Sequence, residues 1–254
     1  MSGAAGERIA KVVARAGLCS RREAEAWVAA GRVAVDGEVL RSPAVNVRPG
    51  QQVTVDGKPL PQPEPTRLFR FHKPAGVLTT ARDPEGRRTI YDLLPDDLPR
   101  LMPIGRLDYS SEGLLLLTND GALKRRLELP STGWVRRYRV RLHGLPSEPA
   151  LRELAKGITV DGVRYGPIQA RVDRVQGSNA WLTLSLREGK NREVRNVMRH
   201  LGHEVTRLIR TAYGPFQLGV LPPRAVDEVS PKVLREQLGQ AVAPPPRPRR
   251  RPAP

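Results

Sequence analysis

Apolar positions near the amino terminus recur at helical spacing. Ile9, Val12 and Val13 share one face of a helix expected over residues 7–16, with Gly17 ending it. Ser20-Arg21-Arg22-Glu23 is a capping box, in which a hydroxyl caps an amide three residues on and the carboxylate reaches back. The helix it opens turns Ala24, Trp27 and Val28 inward and stops at Gly31, a residue free to adopt a left-handed cap. The period then drops to two. Val33-Ala34-Val35 and Val53-Thr54-Val55 alternate as strands do, and Asp36-Gly37 and Asp56-Gly57 supply tight turns. Two helices followed by small hairpins make a compact module over residues 1–60.

Pro61-Gln62-Pro63-Glu64-Pro65 reads as a stiff, extended linker, placed at 61–66. A larger domain is expected over 67–235. Its strand candidates are 68–71, 114–118, 135–142, 169–175 and 180–186; its helix candidates are 122–128, 149–156 and 192–201. Their order shows neither a βαβ rhythm nor a phosphate-binding glycine loop, which gives an α+β domain on a mostly antiparallel sheet. Residues 236–254, rich in proline and arginine, cannot form a core and are expected to be a disordered basic tail.

Charge adds a partner to this outline. The chain has 43 Lys and Arg against 26 Asp and Glu, a formal net charge of +17. Most of the excess lies in the body of the larger domain rather than in the tail. Neutralising phosphates releases counterions, so such a chain favours polyanions. It offers no long amphipathic basic helix of the membrane-binding kind, and nucleic acid is the expected partner. Cys19 stands alone, so no intramolecular disulfide forms, as suits a reducing compartment. The first residues lack the apolar stretch of a signal peptide, and the longest strongly apolar run, Leu114-Leu115-Leu116-Leu117, is far too short to span a bilayer. A cytoplasmic location without membrane contact is expected.

Candidate chemistry centres on Gly105-Arg106-Leu107-Asp108-Tyr109-Ser110-Ser111-Glu112-Gly113, a polar loop feeding that apolar strand. A carboxylate there sits at the rim of a buried sheet, although turn chemistry alone would make Asp108 an ordinary turn residue. In Arg136-Arg137-Tyr138-Arg139-Val140-Arg141-Leu142, alternation puts Tyr138 on the apolar face and Arg137, Arg139 and Arg141 on the other. A packed tyrosine and a solvated or phosphate-binding arginine ladder are both open readings. Over 192–201, Val194, Val197, Met198 and Leu201 form an apolar stripe beside Arg192, Arg195 and Arg199. His200 and His203 lack the further ligands of a zinc site, and Ser110 and Ser111 lack a histidine base.

Two resemblances sharpen these readings. Ser-Arg-Arg-Glu-Ala, the alternating strand from Val33 and the later Val-x-Val-Asp-Gly occur in the order seen in the small RNA-binding fold named after ribosomal protein S-four. The likeness implies RNA binding, with Arg8, Lys11, Arg15, Arg21, Arg22 and Arg32 as candidate contacts. The stretch from Gly105 to Gly121 resembles the catalytic signature of pseudouridine synthases, in the branch that includes RsuA and RluB. Lys73-Pro74-Ala75-Gly76, Arg137-Tyr138-Arg139-Val140 and Lys190-Asn191-Arg192-Glu193-Val194-Arg195 resemble the family's other motifs, in the expected order.

By that resemblance Asp108 is the essential carboxylate, Tyr138 stacks on the target uracil and Arg195 pairs with Asp108. Leu186 lines the base pocket, Arg106 holds RNA around the vacated stack, and Lys73 and Arg192 bind substrate. The implied activity is isomerisation of a uridine in ribosomal RNA, of the large subunit, possible also within an assembly intermediate. It calls for no cofactor and no metal, and the chain is expected to act as a monomer. Two other functions fit the composition: a non-catalytic RNA-binding or ribosome-assembly factor, and a nucleic-acid glycosylase. The ordered motifs disfavour the first, and release of free base would distinguish the second.

Overall fold

A computed structural model describes residues 6–239. The capping box forms as the sequence implies: Glu23 donates its amide to Ser20 Oγ at 3.1 Å, and the Ser20 amide donates to Glu23 Oε2 at 2.7 Å. Helices α1 (Ile9–Arg15) and α2 (Arg21–Ala29) pack on a four-stranded sheet. Its central strands are β1 (Val33–Val35) and β2 (Val53–Val55). Ile9, Val13, Ala24, Val28 and the strand valines form a separate small core. Asp36 and Gly37 both take positive φ, as a two-residue hairpin turn requires. The first helix starts later than expected, because Glu7–Arg8 pairs as a short strand with Asn46–Val47.

The rest of the chain is built on a nine-stranded sheet. Its strands are β3 (Leu68–Lys73), β4 (Met102–Ile104), β5 (Glu112–Thr118), β6 (Arg136–His143), β7 (Ile168–Gln176), β8 (Asn179–Leu186), β9 (Val205–Tyr213), β10 (Phe216–Gln217) and β11 (Val226–Glu228). They lie in the order β7-β8-β6-β9-β5-β3-β11, with β4 on β5 and β10 on β9. Every pairing is antiparallel except β5 with β9. The α+β expectation therefore holds.

The tetraleucine in β5 is apolar throughout because both of its faces are covered. Leu115 and Leu117 enter one core with Tyr138, Val140 and Leu182, capped by α5 (Glu193–His200). Leu114 and Leu116 enter a second core with Leu123 and Leu127 of α3 (Gly121–Glu128). Between β6 and β7, α4 (Glu148–Glu153) runs on into a 3-10 turn. The central strand β9 was not apparent from alternation, because Arg207 and Arg210 interrupt its apolar pattern. The expected tail boundary at 236 is corrected by α6 (Pro231–Leu238), whose Leu234 and Leu238 are buried in the second core. Residues 240–254 of that expected tail lie outside the described residues.

Candidate active site

Asp108 sits in the loop between β4 and β5, and that loop is held from beneath. Lys73, at the end of β3, is fully buried. Its ammonium donates to the carbonyls of Pro74, Asp108 and Ser111 at 3.0, 3.1 and 2.8 Å. These three contacts match its three donors. Burial pulls its pKa down to about 8, against the opposing pull of Asp108 and Glu112. Thr79 adds a second tie: its hydroxyl donates to the Leu107 carbonyl at 2.9 Å, and the Gly76 amide donates to the Tyr109 carbonyl at 2.8 Å. The Lys-Pro-x-Gly turn and the aspartate loop are thus one hydrogen-bonded unit. The expectation that Lys73 binds substrate is corrected, since a side chain with no exposed surface and all its donors on backbone carbonyls has nothing to offer a ligand.

At Gly113 the chain needs glycine. Its φ is +103°, and a Cβ there would stand 2.3 Å from the Arg210 carbonyl oxygen. This close approach is what lets β5 run parallel to β9, with Arg210 opposite Gly113.

Asp108 opens onto a cleft of about 720 Å³ whose lining includes Arg106, Tyr138, Leu186, Arg192 and Arg210. Its side chain is 30% exposed and accessible from the cleft. Arg106 is exposed at the mouth, while Tyr138 and Leu186 are buried in the wall. Tyr138 lies across from Leu184 on β8 and Arg210 on β9.

The cation beside Asp108 is not the one expected. Arg192 approaches it at 4.0 Å. Arg195, in the first turn of α5, instead donates to the Val205 carbonyl at 2.9 Å and the Ser110 carbonyl at 3.2 Å. The pairing of Arg195 with Asp108 is therefore corrected. Arg195 ties the helix to the end of the loop, and burial lowers its pKa. Arg192 reaches Asp108 because it caps α5 in the left-handed region, at φ 49°. A bulky residue held there stores strain of about 1 kcal/mol or more, of the kind that gathers at functional sites.

Three lining residues were not singled out from the sequence. Arg210 is 2% exposed, donates to the Leu114 carbonyl at 2.7 Å and leaves Nη2 without a partner. Arg136 donates to the Tyr213 hydroxyl at 3.1 Å and lies over its ring. Glu193 is buried beside Glu188. Burial, reinforced by that neighbour, pushes Glu193 up to about 7. Its Oε1 has no donor, so a protonated carboxyl, able to donate toward Glu188, suits the position.

Of the six basic candidates in the amino-terminal unit, four are engaged with carboxylates. Lys11 and Arg15 pair with Glu7, Arg21 with Glu25 at 3.5 Å, and Arg32 with Asp56 through two hydrogen bonds. Arg8 donates to the Ala44 carbonyl. Arg22 is exposed and has no acidic partner among the described residues.

Comparison with known proteins bears on the family of the chain. The signature of the family described as RNA pseudouridylate synthase matches residues 67–200, and that of the S4 domain matches residues 7–53. An uncharacterised RNA pseudouridine synthase of Rickettsia prowazekii is 42% identical over 91% of this chain and 97% of its own length. Ribosomal large subunit pseudouridine synthase B of Shigella flexneri is 39% identical over 91% of this chain and 83% of its own. A crystal structure of a pseudouridylate synthase superposes with a TM-score of 0.64 at 25% identity, covering 91% of this chain and 99% of that one. With a family signature over more than half its length and such relatives over nearly all of it, the chain belongs to the RNA pseudouridylate synthases, isomerases that it joins with an S4 domain ahead of the catalytic one.

Proposed function

We propose that this enzyme isomerises a uridine of ribosomal RNA, in the large subunit, with Asp108 as its catalytic carboxylate. The observation that carries the reading is the position of Asp108. Its carboxylate opens on a cleft walled by Tyr138 and Leu186, with one guanidinium at 4.0 Å and its backbone clamped by Lys73. The relatives named as large-subunit synthases support the choice of RNA.

The reaction breaks the bond from the ribose C1′ to the uracil N1 and forms one from C1′ to C5. The C5 proton is lost and N1 gains one, so no oxidant, reductant or energy source is consumed. The base must leave its stack to be reached, at a cost of a few kcal/mol that an aromatic wall partly offsets. Tyr138 supplies that wall and Leu186 its apolar continuation. The Arg192 guanidinium, 4.0 Å from the Asp108 carboxylate, sets an opposite charge beside the reacting group. Arg106, exposed at the mouth, contacts the RNA backbone in this reading.

Tritium release from RNA labelled at uridine C5 tests the reading. The wild-type protein releases tritium and keeps the base attached, whereas Asp108→Asn binds the RNA and releases none. Turnover by Asp108→Asn at a rate near wild type would remove Asp108 from the mechanism. Free uracil as the product would replace isomerisation by hydrolysis.

A further inference from the structure

Strand β6 presents Tyr138 to the cleft, and its other face carries Arg137, Arg139 and Arg141. The second core of the sheet stops at Ile209 on β9; it includes no residue of β6, β7 or β8. Behind the cleft, these three strands therefore lack the helical cover that α3 and α6 give to β5. Trp181 of β8 belongs to neither core. It lies opposite Arg141 on β6 and Arg174 on β7, and it is only 9% exposed because arginines roof it, with the Arg139 guanidinium 4.7 Å from its ring.

The charge of this face is one-sided. Arg171 and Arg207 are neutralised by Asp173 and Glu112. Arg137, Arg139, Arg141 and Arg174 have no acidic partner among the described residues. Alternate residues on a strand stand about 6.8 Å apart, so Arg137, Arg139 and Arg141 form a close row on β6, and Arg174 stands two strands, about 9.6 Å, away across Trp181. Like charges standing so near one another without a counter-charge are destabilising. An antiparallel sheet can leave one face to water, but a solvated face needs no concentration of a single charge. Arginine, with its planar fork, suits phosphate oxygens.

We propose that this open face is a second RNA-binding surface, which holds the phosphate backbone of a segment other than the one whose uridine enters the cleft. The inference rests on the reading of the enzyme as acting on structured RNA. Because the two surfaces lie on opposite sides of one sheet, a short stem-loop fills the cleft alone, while a longer folded RNA reaches both.

The test uses the full chain with Arg137→Gln, Arg139→Gln and Arg141→Gln together. Binding is measured against salt on a minimal stem-loop and on a longer rRNA fragment, with tritium release on the stem-loop as the check of activity. The triple variant should match wild type in turnover and binding on the stem-loop. On the longer RNA its logarithmic salt slope should be shallower by about 2–3, one phosphate contact for each charge lost. The corresponding triple lysine variant should restore most of that slope. Equal slopes for wild type and the glutamine variant on the longer RNA overturn the proposal, even with isomerase activity intact. Phenylglyoxal footprinting of the unaltered protein gives an answer independent of any folding defect. Arg137 and Arg139 should be protected by the longer RNA and not by the stem-loop, and equal modification with both RNAs counts against the surface.

Discussion

The Lys73 ammonium donates to the backbone carbonyl of Asp108 at 3.1 Å, so the residue proposed to do the chemistry is positioned by one that never meets the substrate. Lys73→Met removes the one ammonium that ties the carbonyls of Pro74, Asp108 and Ser111 together. The loop should shift, lowering kcat by about 10–100-fold with little change in KM, since small misplacements of a reacting group are costly.

The same lysine gives opposite pH trends in activity and stability. Its pKa of about 8 lies below the ordinary 10.5, so the unfolded chain binds more protons between these values. The contribution of Lys73 to stability should rise with pH across that window. Activity should fall as pH passes about 8, because a neutral amine has only two hydrogens for three carbonyls. Parallel kinetics and denaturation of wild type and Lys73→Met, between pH 7 and 10, check both trends.

Arg192 combines strain with proximity to Asp108. Arg192→Gly relieves the left-handed backbone but frees the unfolded chain, so stability should change by less than about 1 kcal/mol. Turnover should nevertheless fall by at least ~10-fold through loss of the nearby charge. Arg195→Lys should lower both turnover and melting temperature, since one ammonium replaces a fork that bridges two carbonyls. Turnover of Arg192→Gly equal to wild type would leave Arg192 with a purely structural part.

Glu193 is held near 7, above the ordinary 4.5, so the folded protein binds more protons in that interval. Its contribution should make the fold less stable as pH rises from about 4.5 to 7. Glu193→Gln keeps the shape and a donor while removing the titration. Urea denaturation at pH 5 and pH 8 should show a clear gain for the variant at pH 8 and a small difference at pH 5.

In the amino-terminal unit, internal pairing separates residues that look alike in sequence. Arg22→Gln should weaken RNA binding and reduce its salt slope by about 1. Arg32→Gln loses a doubly bonded partner in Asp56 and should act mainly on stability. Deleting residues 1–60 should weaken binding and flatten the salt dependence. Anisotropy titrations at several salt concentrations separate these effects.

Much of this architecture was legible because local rules and tertiary packing agree. The capping box, the Asp-Gly turns and the alternation around Tyr138 are short-range signals, and each element formed where its signal lay. The motifs also placed Asp108, Tyr138, Leu186, Arg106 and Arg192 around one cleft. What escaped depends on contacts distant in sequence. Lys73, expected to bind substrate, is instead buried beneath the Asp108 loop. Strand β9 hides behind Arg210, whose burial is possible only because its guanidinium bonds the Leu114 carbonyl. Arg192 and Arg195 differ by less than one helical turn. Only the left-handed cap decides which of them reaches Asp108.

The tetraleucine of β5 is a wall shared by two rooms, and the Asp108 loop hangs from its end. Neither room can be emptied without moving that wall. Loss of catalytic competence and loss of tertiary structure should therefore share a single midpoint in heat or urea, leaving no half-melted form that still turns over substrate. Changes that raise the durability of either core, even far from the RNA, should extend the working range of the enzyme by the same amount.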